Sequence, residues 1–205
     1  MAIDAGEYKS RIGLDKLYYA VITTDSASAY TAGTPEYLAP AASATQAPTV
    51  NTETQYADDQ AYDVMTSEGA TTITLTVTGV PLETLAEITG KVFDSVNGRM
   101  YETNEVAPYC ALGFRALKSN GSYRYYWFLK GTFTMPDENA VTKGESPDPQ
   151  TQELTFSAIH SVFKFDTGAP PAKAVKRVVG DDDVANFDPT SWFTSVQTPA
   201  TGSSI

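Results

Sequence analysis

A single cysteine, a single histidine and the lack of any long apolar run narrow what this 205-residue chain can be. With Cys110 alone an internal disulfide is impossible, and its place in the apolar run 107–112 reads as a buried, inert thiol rather than a nucleophile. With His160 alone, histidine-rich metal sites are excluded and any Ser-His-Asp scheme hangs on one residue. That residue falls in 155–163, which reads as a strand, so a structural histidine is expected. No apolar stretch approaches the roughly 20 residues that cross a bilayer, so no membrane anchor is expected. Residues 1–7 carry neither the basic start nor the apolar stretch of a secretory signal, which points to a cytoplasmic origin. Phosphate-loop and dinucleotide fingerprints are missing too, because no glycine cluster follows a strand and opens a helix.

Positive charge is scarce. Fourteen basic residues stand against 25 acidic ones, for a net charge of −11. Residues 17–87 contain no Lys or Arg but nine carboxylates: Asp25, Glu36, Glu53, Asp58, Asp59, Asp63, Glu68, Glu83 and Glu87. A second stretch without cations runs from Gly180 and opens on Asp181-Asp182-Asp183. Binding nucleic acid by counterion release needs clustered cations, so this is not a DNA-binding protein in the ordinary sense. The acidity serves solubility, or it makes a surface that must not hold nucleic acid. Asp58, Asp59 and Asp63 lack the alternating oxygen ligands, central glycine and distal glutamate of a calcium loop, so no metal and no cofactor are expected. Carboxylate pairs for glycoside hydrolysis are available among any 25 acids and carry no specificity. Nothing here indicates an enzyme.

What is present is β-pattern. Residues 17–23 are rich in aromatic and β-branched side chains and read as a strand, followed by a turn-rich stretch over 24–35. Residues 72–78 alternate strictly: Ile73, Leu75 and Val77 fall on one face, Thr72, Thr74, Thr76 and Thr78 on the other. Pro81 suits a first helical position; Leu82, Leu85, Ala86 and Ile88 then share one side of a short helix that stops at Gly90. Two hairpins are predicted, 92–96 with 99–102 across Asn97-Gly98, and 109–117 with 123–133 across 118–122. In the last strand Tyr123, Tyr125, Trp127 and Leu129 share one face and Arg124, Tyr126, Phe128 and Lys130 the other, so both faces are expected to be covered. Residues 135–150 read as a surface loop and 152–165 as the last long strand. Lys173, Lys176 and Arg177 form a basic patch ahead of the acidic tail. Stacking readers of single strands join aromatics to a basic groove; with Arg124 and Lys130 isolated, the aromatics of 123–128 read as core.

Several blocks together resemble a known family. Gly13-Leu14-Asp15-Lys16-Leu17-Tyr18-Tyr19-Ala20 is similar to the opening strand of major tail proteins, the tail-tube subunits of long non-contractile-tailed bacteriophages of Gram-positive hosts. Leu38-Ala39-Pro40 with Asn51-Thr52-Glu53-Thr54-Gln55-Tyr56-Ala57-Asp58-Asp59 resembles a second block. The most specific lies within 107–133 and contains Ala107-Pro108-Tyr109, Ala111-Leu112-Gly113-Phe114-Arg115 and Lys118-Ser119-Asn120-Gly121. The resemblance spans roughly 11–166 and resumes at Phe187-Asp188-Pro189 and Ser191-Trp192-Phe193.

It implies a mainly β fold, a β-sandwich or split barrel with one short flanking helix. An N-terminal arm (1–12), a β domain (13–167) and a C-terminal arm (168–205) would follow along the chain. It implies a structural virion protein whose copies form hexameric rings, stacked into a tube through which DNA leaves for the host. Assembly would take place in the host cytoplasm, with initiator, tape-measure and terminator proteins as further partners. Genomic DNA would pass without specific binding. The cation-free segment 39–70, with Glu53, Tyr56, Asp58, Asp59 and Asp63, is the candidate inter-ring loop; Thr72, Thr74, Thr76 and Thr78 are the candidate lumen face. The competing reading is a β-sandwich surface module, an adhesin or carbohydrate binder that holds a glycan on exposed aromatics.

Overall fold

The computed structural model describes residues 9–138, 140–142, 150–168 and 170–199. Its main body is one antiparallel sheet. The strands are β1 (Arg11–Asp25), β2 (Tyr30–Ala32), β3 (Glu36–Tyr37), β4 (Ala41–Ala57), β5 (Gln60–Val77), β8 (Cys110–Lys118), β9 (Tyr123–Phe133), β10 (Gln152–Ala158) and β13 (Arg177–Asp181). Their hydrogen-bonded order is β2-β1-β8-β9-β10-β5-β4, with β3 added to β1 and β13 to β9. The pairs β6 (Val92–Asp94) with β7 (Arg99–Tyr101) and β11 (Lys164–Phe165) with β12 (Lys173–Ala174) stand apart.

The sheet curls because its two ends are joined by a short link. Residues 38–40 lead from β3, at the edge of β1, straight into β4; Leu38 N–H donates to Leu17 O at 2.9 Å and Thr78 N–H to Pro40 O at 3.1 Å. The enclosed face gathers Leu17, Ile73, Leu75, Leu112, Phe128, Leu154 and Phe156, all buried. Each such side chain contributes roughly 1.5–3 kcal/mol by leaving water. Helix α1 (Leu82–Thr89) closes one end with Leu85 and Ile88 and stops at Gly90, whose φ of 72° is the left-handed conformation that glycine supplies at helix ends. Leu82 does not join this face; at the first helical position it is exposed. Along the seam no β1–β4 ladder forms among the described residues, and β4 pairs only with β5. The architecture is therefore the split, curled β fold expected.

Strand β9 is covered on both faces, as its two aromatic faces predict. Tyr126 and Phe128 enter the enclosed core, while Tyr125, Trp127 and Leu129 enter a second core outside the sheet. A bulge against β8, between the Cys110 and Leu112 pairings, restores Phe133 to the face of Phe128. The second core is roofed by the C-terminal segment. Trp192, Phe187 and Phe193 pack over Tyr125 and Trp127, and Trp127 Nε1 donates to Trp192 O at 2.8 Å. Gly113 makes room for this: a Cβ there would sit 2.7 Å from the Trp127 ring.

Among the described residues three lysines are buried, each with an anion. Lys130 Nζ meets Asp25 at 2.6 Å, and Asp25 also accepts the N–H groups of Val162 and Phe163. Lys118 joins Asp181 and Asp183 (2.6 Å to Asp183), tying the acidic tail to the β8–β9 turn. Lys176 Nζ meets Glu68 Oε1 at 2.6 Å, Gly69 O at 2.9 Å and Thr71 Oγ1 at 3.2 Å. Taking one partner from a buried pair leaves an uncompensated charge, which costs far more than the pair contributes.

Several expectations need correction. His160 lies past the end of β10, exposed in a loop, because pairing with β5 ends at Ala158; the last long strand is thus shorter than 152–165. The basic patch is not one surface, since Lys176 is buried on Glu68 while Lys173 and Arg177 stay exposed. Asp181-Asp182-Asp183 is not an open run of charge either, because Lys118 and Arg124 hold its ends. The stretch 24–35 contains β2, paired with β1. In both predicted hairpins only the glycine, Gly98 or Gly121, takes positive φ, so neither Asn-Gly makes a two-residue turn. Of the loop 135–150, residues 139 and 143–149 lie outside the described residues.

Candidate assembly surfaces

The cation-free segment 39–70 is not a loop. It lies largely in β4 and β5, two long strands that form one hairpin. Threonine, valine and tyrosine favour the extended backbone, and their alternation hides behind a Pro-, Ser- and Ala-rich composition. Its tip is the two-residue turn Asp58-Asp59, with φ of 51° and 60°; Ala57 faces Gln60 across it. Two successive positive φ values match the twist of paired strands, and aspartate tolerates them better than most residues. Pairing of β5 with β10 stops at Thr71, so residues 60–70 are paired with β4 alone. At about 3.3 Å per residue they project roughly 35 Å from the body.

Register sorts the side chains of this ribbon. Residues directly opposite in an antiparallel pair share a face. Thr76, Thr74 and Thr72 lie opposite Ser43, Thr45 and Ala47 on β4, and opposite Glu153, Thr155 and Ser157 on β10. Thr132 of β9 continues the row beside Ser157. The candidate lumen face is thus a hydroxyl surface four strands wide, with Ser43 Oγ donating to Thr76 Oγ1 at 2.9 Å. Thr78 lies just past the end of β5 and is not part of the ladder.

A bulge between the Pro48 and Val50 pairings gives β5 one extra residue, and beyond it the same face carries Asn51 with Ser67, Glu53 with Met65, and Gln55 with Asp63. The structure therefore brings Glu53 and Asp63 onto the outward continuation of the threonine face, with Asp58 and Asp59 at its end. Tyr56 falls on the reverse face, with Val50, Thr52, Thr54 and Val64.

That reverse face sets exposed apolar side chains among threonines. Tyr56 and Tyr62 are 72% and 77% exposed, and Val50 and Val64 are more than half exposed. Val50, Tyr62, Val64 and Met65 escaped the sequence reading because the segment was taken as a loop; period-two spacing on both sides of Asp58-Asp59 was the signal that marked them. The pairing of Glu68 with Lys176 is a contact no sequence rule reaches, since 108 positions separate the two. It fixes the hairpin's base, and Arg177 Nη1 adds a bond to Gln46 Oε1 at 3.0 Å. Lys176 holds the Glu68 carboxyl below its usual range.

At the same base the unpaired seam between β1 and β4 opens into a cleft of about 1050 Å³. Leu14, Phe114 and Phe128 line it, as do Arg11, Lys173 and Arg177. Glu68, paired with Lys176, and His160 also stand on its wall. Among the described residues no cluster of three His, Cys, Asp or Glu side chains is placed to hold a metal, and no helix is long and apolar enough to cross a membrane.

A family model of phage tail tube proteins matches residues 39–199, which include the projecting hairpin, the double-faced strand β9 and most of the C-terminal roof. The chain belongs to the phage tail tube protein family. No curated protein matches it. Membership makes this a structural protein of the bacteriophage virion, located in the tail. The hairpin, the hydroxyl face and the open seam are this tail tube protein's own features. Cys110, the lone thiol, is pushed up to about 12 by burial.

Proposed function

We propose that this tail tube protein assembles into hexameric rings that stack into a hollow tube, the conduit for DNA ejection into the host. The observation that carries the reading is the β4–β5 hairpin. A two-stranded ribbon with both faces open is marginal in water, and this one shows two tyrosines and two valines on or beside one face. Such a ribbon gains its stability from a partner, and a second copy is the partner a tube supplies. The free edge of β4 can extend its ladder into a neighbouring copy, which a closed ring satisfies without leaving edges.

The hydroxyl face suits the bore. Duplex DNA carries about one negative charge per 1.7 Å, so a cationic lining would hold it. Thr72, Thr74 and Thr76 with their neighbours offer hydration without positive charge, and the acids Glu53 and Asp63 farther out repel phosphate. In this reading DNA slides through without specific binding, and initiator, tape-measure and terminator proteins set where the tube starts and stops. Residues 1–12 and 168–205 serve as arms, the second of them folded in large part onto its own sheet. The glycan-binding alternative loses its main support, since Tyr125, Tyr126, Trp127 and Phe128 are buried.

Negative-stain microscopy of concentrated protein tests the proposal. Rings or tubes of uniform bore are expected, and they should be absent when residues 50–68 are replaced by a short turn. Tubes that persist without the hairpin would overturn its role; featureless particles that bind glycans would overturn the whole reading.

A further inference from the structure

The assembly reading leaves open what the hairpin grips, and the cleft beside β1 answers it. We infer that the Asp58-Asp59 tip of one copy docks in the β1–β4 cleft of the next copy. This rests on the proposed self-assembly and names its receptor.

The two places are complementary in charge. The tip region carries Glu53, Asp58, Asp59 and Asp63, none with an ion-pair partner among the described residues. The cleft is lined by Arg11, Lys173 and Arg177, which likewise meet no carboxylate there: Arg11 donates to Tyr126 Oη at 3.1 Å and Arg177 to Gln46. Arg115, Lys118, Arg124, Lys130 and Lys176, by contrast, are already matched to acids of their own chain. Among the described residues the cleft thus offers three cations that meet no carboxylate, and the tip region offers four carboxylates that meet no cation.

Shape and polarity agree. A volume of about 1050 Å³ admits a two-residue turn with its flanking tyrosine rings. Tyr56 and Tyr62, the most exposed rings of the hairpin, would meet Leu14, Phe114 and Phe128. Aromatic anchors in a pocket ringed by polar contacts are the pattern of interfaces with concentrated binding energy. The contact is heterologous, tip to cleft, so each docked copy presents a fresh tip and a fresh cleft, and the assembly propagates. Lys176, on the cleft wall, ties the hairpin's base beside the cleft through its bonds to Glu68, Gly69 and Thr71.

Charge reversal and cross-linking test this. Lys173→Glu with Arg177→Glu, and separately Asp58→Lys with Asp59→Lys, should each weaken self-association at least tenfold by sedimentation while leaving the circular dichroism spectrum unchanged. All four substitutions in one chain should restore it, because opposite charges again meet. Failure to restore, or singly reversed sets that associate like the wild type, would overturn the docking.

The second arm mixes an Asp59→Cys chain with a Lys173→Cys chain under mild oxidant. Buried Cys110 should not compete. A cross-linked dimer that appears in the mixture, and in neither variant alone, supports tip-to-cleft contact. Rings or tubes without that cross-link leave the tube reading standing and overturn this one. Absence of both assembly and cross-link counts against the two together. A cross-link from Lys173→Cys to an Ile3→Cys chain instead of Asp59→Cys would give the cleft to the amino-terminal residues and also overturn it.

Discussion

Strand β9 and the β4–β5 hairpin are built from similar residues and do opposite things. β9 runs through the centre of the sheet with aromatic side chains buried on both faces, roofed on one side by the chain's own C-terminal segment. The hairpin also carries tyrosine and valine on an extended backbone, yet from its base at Glu68 to its tip its side chains are largely exposed among the described residues. The difference lies in neighbours rather than in composition. The buried lysines Lys118, Lys130 and Lys176 of the body are matched to acids of the same chain, whereas the hairpin has acids and no cation at all. One region is completed within the subunit; the other is shaped to be completed by another molecule.

The contrast breaks first at Trp127. Trp127→Ala removes a fully buried ring and a hydrogen bond to the roof, and should cost about 3–5 kcal/mol in urea unfolding of the monomer. Almost as large an effect is expected at the buried ion pair. Lys130→Met strands Asp25, only 4% exposed, and should cost about 3 kcal/mol by the same measurement.

Acid should find that pair as well. Burial alone would raise the Asp25 carboxyl, but Lys130 and the N–H groups of Val162 and Phe163 outweigh it and hold it below its ordinary 3.8. Asp183 is held at about 2, chiefly by Lys118. A carboxyl depressed in the folded state contributes stability above its unfolded pKa and loses it as pH falls through its folded value. The urea midpoint should therefore hold steady above pH 5 and fall below about pH 4, more shallowly in Asp25→Asn. A midpoint that is flat down to pH 2 would show that these acids are not engaged as described.

How much of this was legible in the sequence follows the same divide. The threonine ladder, the short helix before Gly90 (which starts at Leu82, with Pro81 as its cap rather than its first residue) and the two covered faces of β9 were readable because local periodicity decides them. The hairpin was not, because its composition suggests a loop and its bulges shift the alternation by one residue. The three lysine clamps were beyond reach, since each joins residues 63 or more positions apart. His160 was misplaced because strand length is set by the partner, and β5 stops pairing at Ala158. Of the candidate site, the residue types and their segment were readable, while the division into a hydroxyl and acid face and an apolar face needed the register.

On the hairpin the prediction inverts. Tyr62→Ser should change monomer stability by less than about 0.5 kcal/mol, as exposed substitutions do, yet weaken self-association at least tenfold by sedimentation. A Tyr62 variant that lowers the urea midpoint as Trp127→Ala does would mean that the ring is packed within the subunit, and the comparison would fail.

The smallest effect sharpens the comparison from inside the hairpin. Asp58 and Asp59 both sit at positive φ, and the Asn-Gly sequence relieves most of the strain that such a turn imposes. Asp58→Asn with Asp59→Gly should slow amide exchange along residues 51–67 by a factor corresponding to a few tenths of a kcal/mol up to about 1 kcal/mol. Global unfolding should not move, because the ribbon opens separately from the body. Assembly should nonetheless weaken, since the two lost carboxylates are those that face the cationic cleft. A more stable hairpin that assembles less well separates folding of the ribbon from its recognition, and only a segment built for a partner responds in that way.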